Sequence, residues 1–165
     1  MNYKYDQLRK WELKYRKFFR KAKVLELGSG NAGGVPAVRV HFKGCEYVGV
    51  DCKDKPNVDI KCFAHETNFK KDHFDTLVSF SMFEHDPYWL DSIRHNLPFL
   101  RKGGMIFFKW SVKGSPHGPQ DAADNSGKFY PVPLENMTAL LNCSNVKIIE
   151  TIDCGTTCCI AAQKL

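Results

Sequence analysis

The feature that most constrains this 165-residue chain is a glycine turn. Gly28, Ser29, Gly30, Asn31, Ala32 and Gly33 satisfy G-x-G-x-x-G, directly after a short apolar run at 24–27 and ahead of a helical pattern over 35–42. Such a strand–turn–helix unit lets the backbone approach a nucleotide-like ligand, because glycines carry no side chain into the gap. A second apolar run, 47–50, ends on Asp51. A carboxylate there, about twenty residues beyond the turn, can accept hydrogen bonds from ribose hydroxyls. Taken singly, the glycines also read as a plain turn between strand and helix, and Asp51 as a turn cap.

The alternation continues down the chain. A short third strand is expected over 58–62, a fourth over 74–80, and a helix over 89–100. A tight turn at Arg101, Lys102, Gly103 and Gly104 then opens a fifth strand over 105–110. A helix over 134–141 and two closing strands, 146–152 and 156–162, complete the pattern. Strands alternating with helices give a doubly wound, mostly parallel seven-stranded α/β sheet with helices on both faces. The length suits one domain over 1–165.

The charge is uneven. Of the formal net +6, residues 1–23 hold nine Lys or Arg and two acids, while the remainder sums to about −1. Within this segment Leu8, Trp11, Tyr15 and Phe18 or Phe19 recur at helical spacing, so 1–22 reads as a basic amphipathic helix whose aromatic stripe packs on the domain. No apolar run is long enough to span a membrane, and the polar amino terminus lacks a signal-like apolar core, which points to the cytoplasm. The seven cysteines are odd in number and form no Cys-x-x-Cys pair. They read as reduced thiols, and no metal site is expected.

Three further features narrow the glycine turn's meaning. Glu26 stands two residues before Gly28, where a carboxylate suits a cationic ligand and opposes a pyrophosphate. Phe74 and Asp75 open the fourth strand, and the Leu100–Gly104 turn precedes the fifth. With this ordered set, residues 23–111 resemble class I S-adenosylmethionine-dependent methyltransferases of the small-molecule kind, which have a Rossmann-like fold. The resemblance implies S-adenosylmethionine as cofactor. It implies that Glu26, Gly28, Ser29 and Gly30 cradle its methionine and sugar, that Asp51 binds the ribose with Cys52 beside the adenine, and that Ala64 and His65 lie along the adenine. The family often carries an adenine-binding acid near Phe63 or Ala64; here it is missing or displaced to Glu66.

Ligands of such sheets bind at the carboxyl ends of the strands. Ser81, following the fourth strand, is therefore assigned to the cofactor site. The next residues resemble the E-H-x-P segment of many small-molecule methyltransferases. Oxygen methylation requires loss of the acceptor's proton, and imidazole suits that task near neutral pH. His85 is the candidate base, with Glu84, Tyr88 and His117 as acceptor contacts; Glu84 and His85 pairing with each other is the plainer reading. Asp86 and Pro87 read as the cap and first turn of the next helix. The long loop 112–131 is expected to cover the acceptor. The expected function is methyl transfer to an oxygen or nitrogen of a small molecule or sugar. Three alternatives stand beside it: a nucleic-acid methyltransferase gripping phosphates through residues 4–23, a non-catalytic cofactor-binding module, and an NAD-dependent oxidoreductase.

Overall fold

Seven strands form one sheet in the computed structural model, which describes residues 3–30, 37–114 and 128–165. They are β1 (Lys23–Leu27), β2 (Glu46–Asp51), β3 (Ile60–Lys61), β4 (Phe74–Phe80), β5 (Leu100–Ser111), β6 (Val146–Asp153) and β7 (Thr157–Lys164). Their order across the sheet is β3-β2-β1-β4-β5-β7-β6. The first five run parallel, and β7 inserts antiparallel between β5 and β6. The order reverses direction between β1 and β4, and a crevice opens at such a switch point beyond the carboxyl ends of the strands.

Strand β5 shows why the sheet is covered on both sides. Ile106 and Phe108 join the core beneath α2 (Trp89–Asn96) and α3 (Leu134–Cys143), while Met105 and Phe107 join the core beneath α1 (Tyr3–Lys14). A strand buried on both faces reads as a continuous apolar run. Cys158 and Cys159 likewise fall on opposite faces, both buried, and desolvation pushes each thiol up to about 11. The seven cysteines all lie among the described residues, and none is joined in a disulfide.

The amino-terminal helix is shorter than its pattern suggests. It stops at Lys14, and a 3-10 turn at Arg16–Phe18 carries Phe18 and Phe19 onto the same apolar face. Glu150 of β6 clamps it, accepting from Trp11 Nε1 (3.2 Å) and Tyr15 Oη (2.5 Å) and pairing with Lys14. Arg9, Lys10, Arg16, Lys17 and Lys21 stay exposed. None of the described helices is long and apolar enough to cross a membrane.

Other boundaries move for identifiable reasons. The helix expected over 89–100 ends at Asn96, because Pro98 tightens the chain into a 3-10 turn at Leu97–Phe99. The 101–104 turn lies inside β5: Phe74 pairs with Leu100 and Thr76 with Met105, so these residues loop out opposite Asp75. Asp75 accepts from Lys23 N (2.7 Å) and Arg101 Nε (2.6 Å). Burial would raise its pKa, but those two donors hold it below the usual value. Of the helix expected over 35–42, the described part is a 3-10 turn at Val38–His41. Residues 31–36, with the third glycine, and 115–127, with most of the expected covering loop, lie outside the described residues.

Candidate active site

The glycine turn is tied onto β2 at each described residue. Gly28 N and Ser29 N both donate to Val50 O (2.8 and 3.0 Å), and Gly30 N donates to Asp51 Oδ2 (2.9 Å). Lys53 N donates to Asp51 Oδ1 (2.9 Å). A Cβ on Gly30 would lie 2.6 Å from Asp51 Oδ2, so only a bare backbone lets this carboxylate lie against the turn. Gly28 takes φ +77°, and its missing Cβ would fall 2.4 Å from Met82 Cβ. The exits of β1 and β4 therefore press directly on one another.

Glu26 sits beneath this turn rather than on its surface, only 2 % exposed, and accepts from Tyr47 Oη (2.7 Å). Burial, and then the charge of Glu26, push the Tyr47 phenol well up, so it remains a donor. Ser29 is buried too, with its Oγ turned onto β2, 2.7 Å from where a Gly49 Cβ would stand. Its side chain faces into the sheet, and among the described residues no partner meets that hydroxyl.

Beyond β2, Cys52 is half-buried beside Asp51. Beyond β3, Ala64–Glu66 forms a 3-10 turn in which Glu66 is exposed. A buried polar cluster pins this turn to α2. Thr67 Oγ1 donates to Asn96 Oδ1 (2.8 Å), Asn96 Nδ2 donates to Ala64 O (2.6 Å) and Ser92 O (2.8 Å), and a His95 ring nitrogen meets Thr67 O. The result brings three rings together. His65 lies 5.6 Å from Phe63 and 4.8 Å from Tyr88, both of which are exposed, and its Nδ1 is buried without a partner among the described residues. Phe63 and the Asn96 cluster were not legible as site elements; an aromatic directly after a strand is at most a weak signal.

The segment after β4 begins with strain. Ser81 adopts φ +60°, an uncommon conformation for a residue with a side chain, while its N–H donates to Lys109 O (2.8 Å). Glu84 and His85 do not pair with each other. Glu84, 2 % exposed, accepts from Ser111 N (3.2 Å) at the end of β5, and its Oε2 is buried without a partner among the described residues. His85 Nδ1 lies 2.8 Å from Lys128 O. A carbonyl only accepts, so Nδ1 carries the hydrogen and Nε2 is the basic nitrogen of the neutral ring. Tyr130 N donates to Glu84 O (2.7 Å), fastening the far end of the long loop to the same turn.

Asp86 is not the expected helix cap: the helix starts at Trp89 with Tyr88 as its N-cap, without a side-chain cap hydrogen bond. Asp86 instead accepts from Tyr88 N (2.8 Å) and Ser92 Oγ (2.6 Å), and Pro87 precedes the helix rather than forming its first turn. His117 lies outside the described residues. Among the described residues no three His, Cys, Asp or Glu side chains converge as a metal site.

The family model for a methyltransferase domain matches residues 2–140. No curated protein sequence matches the chain. Among solved structures, it is similar to 1,6-didemethyltoxoflavin-N1-methyltransferase of Burkholderia thailandensis, solved with 1,6-didemethyltoxoflavin and S-adenosylhomocysteine. That match has 14 % identity and a TM-score of 0.70, and covers 92 % of this chain and 75 % of that one. An S-adenosylmethionine-dependent methyltransferase of Mesorhizobium loti matches at 13 % identity and a TM-score of 0.68, covering 92 % and 97 %. The cyclase SpnF matches at 14 % identity and a TM-score of 0.67, covering 94 % and 80 %, so the fold alone does not define a reaction. The family model spans most of the chain, including the glycine turn, Asp51 and the exit of β4, and its match sets aside the oxidoreductase alternative: the chain belongs to the methyltransferase domain family and is an S-adenosylmethionine-dependent methyltransferase domain.

Proposed function

We propose that this domain methylates an oxygen or nitrogen of a small-molecule or sugar acceptor, with His85 as the base. The observation that carries this reading is the 2.8 Å contact from His85 Nδ1 to Lys128 O, which makes Nε2 the proton-accepting nitrogen at the carboxyl end of β4. The residues fit the cofactor. Asp51 accepts two backbone hydrogen bonds and, with about four acceptor sites on a carboxylate, keeps capacity for a ribose diol beside the bare backbone of Gly30. Glu26 supplies negative charge beneath the turn for the amino-acid end, Gly28 and Ser29 contribute backbone, and Ser81 closes the far side. Cys52, Ala64 and His65 flank the adenine. When bound, S-adenosylmethionine supplies an electrophilic methyl group on a cationic sulfur.

The remaining roles belong to the chain. Glu84, Tyr88 and His117 hold the acceptor, and His85 Nε2 takes its proton. Alignment alone lowers the barrier further, since bringing two reactants together can be worth several kcal/mol, roughly 7–11 in favourable cases. The 1,6-didemethyltoxoflavin bound in the Burkholderia thailandensis structure supports a small-molecule substrate, as do the exposed rings of Phe63 and Tyr88. A second reading, nucleic acid held through residues 4–23, is favoured by the exposed Arg9, Lys10, Arg16, Lys17 and Lys21. It predicts binding that weakens steeply with salt.

The test is calorimetric titration with S-adenosylhomocysteine, for the wild type and Asp51→Ala. Micromolar affinity, about −8 kcal/mol, that Asp51→Ala abolishes is the expected outcome. An acceptor screen with wild type and His85→Gln follows, and His85→Gln should lose about 10²-fold or more in kcat. A folded protein that does not bind the adduct sinks the enzymatic reading in favour of a non-catalytic module. Full activity in His85→Gln removes the base and leaves alignment alone.

A further inference from the structure

We propose that Tyr47 is a positioning residue for the cofactor site, its hydroxyl setting the carboxylate of Glu26 beneath the glycine turn so that it receives the cofactor's amino-acid end. The inference rests on the reading of Glu26 given above. β1 and β2 are parallel neighbours in which Val24 faces Tyr47 and Glu26 faces Gly49. Side chains alternate along a strand, so Tyr47 and Glu26 share a sheet face, with Tyr47 reaching diagonally forward. Its hydroxyl donates to Glu26 Oε2 at 2.7 Å.

The tyrosine is itself held from several sides. The guanidinium of Arg39 lies 4.7 Å from its ring centre, on the 3-10 turn that follows the glycine segment. Phe42 packs 5.5 Å away at a tilt. Arg39 also pairs with Asp59, whose Oδ2 accepts Gly49 N at 2.7 Å. The ring is thus fixed by the two chain segments flanking the turn and by the strand beneath it. A hydrogen bond from a neutral donor to a carboxylate stabilises the ionised form, and a buried carboxylate depends on such donors more than an exposed one. The hydroxyl therefore fixes the orientation of Glu26 and favours the negative charge that an ammonium group requires.

The substitution that isolates this role is Tyr47→Phe, which keeps the ring, its contact with Arg39 and its packing on Phe42. Two ligands separate positioning from general loosening. S-adenosylhomocysteine carries the amino-acid end, and adenosine lacks it. We expect Tyr47→Phe to weaken the adduct about tenfold and to leave adenosine affinity unchanged. Glu26→Gln should weaken the adduct at least as much, and the double variant should be no weaker than Glu26→Gln alone, because the hydroxyl acts only through that carboxylate.

Equal loss for both ligands would show a structural role and overturn the proposal. So would unchanged adduct binding in Tyr47→Phe while Glu26→Gln is impaired, or additive losses in the double variant. If Glu26→Gln itself binds the adduct as tightly as the wild type, the reading of Glu26 falls, and the proposal with it. Thermal unfolding of each variant confirms that the comparison is made between folded proteins.

Discussion

The exits of β1 and β4 touch, yet they handle the same backbone problem in opposite ways. Each turns through a positive φ, +77° at Gly28 and +60° at Ser81. At β1 a glycine adopts it without steric cost, and the N–H groups of residues 28–30 all land on the carbonyl or carboxylate that ends β2. At β4 a serine adopts it at some cost, and three residues later Glu84 buries a carboxylate oxygen that meets no donor among the described residues. The first exit satisfies its backbone donors and leaves, among the described residues, the neutral hydroxyl of Ser29 without a partner, an arrangement suited to a ligand common to a whole family. The second keeps strain and an unmatched carboxylate oxygen rather than a neutral hydroxyl, which is where specificity for one acceptor can be built.

The comparison breaks most visibly at Gly28. Gly28→Ala forces a side chain into positive φ and places its Cβ against Met82 Cβ, where only 2.4 Å is available. About 3 kcal/mol of unfolding free energy should be lost, combining backbone strain with overpacking. Denaturant titration measures it, and Met82→Gly in the same chain, which removes the Cβ that the new side chain meets, should recover the packing share. A loss below about 1 kcal/mol would mean that the exits do not press on each other as firmly as the contact indicates.

Glu84 tests the other side. Glu84→Gln keeps an oxygen for Ser111 N and removes the charge from a site with one described donor. A buried charge without full hydrogen bonding is costly, so the variant should be more stable by about 1 kcal/mol. Acceptor turnover should fall at the same time. A variant that is less stable than the wild type would show that Oε2 finds a donor in solution, and the contrast between the two exits would shrink.

The difference between the exits also explains what could be read from the sequence. The β1 exit was legible because its chemistry is local: strand, glycines, and an acid at the end of the next strand. The β4 exit depends on contacts between distant segments. His65 and Tyr88 meet only because Thr67 and Asn96 pin one 3-10 turn to α2, and His85 finds Lys128 across a loop of unpredictable path. Glu26 was singled out, but its neighbour across the strands, Tyr47, was not. Asp75 carried the resemblance in another way: it stands early in β4, at the amino edge, where it ties Lys23 and Arg101 together far from the ligand end. A motif residue can owe its place to the fold rather than to the ligand.

The smallest effect is the most diagnostic of how the β4 exit works. At Ser81 the left-handed conformation costs a side chain roughly 1–2 kcal/mol. Glycine would remove that cost but lose more chain entropy on folding, by roughly 0.5–1 kcal/mol. Ser81→Gly should therefore stabilise the fold by less than about 1 kcal/mol. If the strain only records how the chain leaves the sheet, cofactor affinity in this variant equals the wild type or improves slightly. If the serine holds the turn in the one conformation that meets the cofactor, affinity falls although stability rises. Stability and affinity moving in opposite directions would mark the β4 exit as a region where order is given up for binding, whereas at Gly28 the two must fall together.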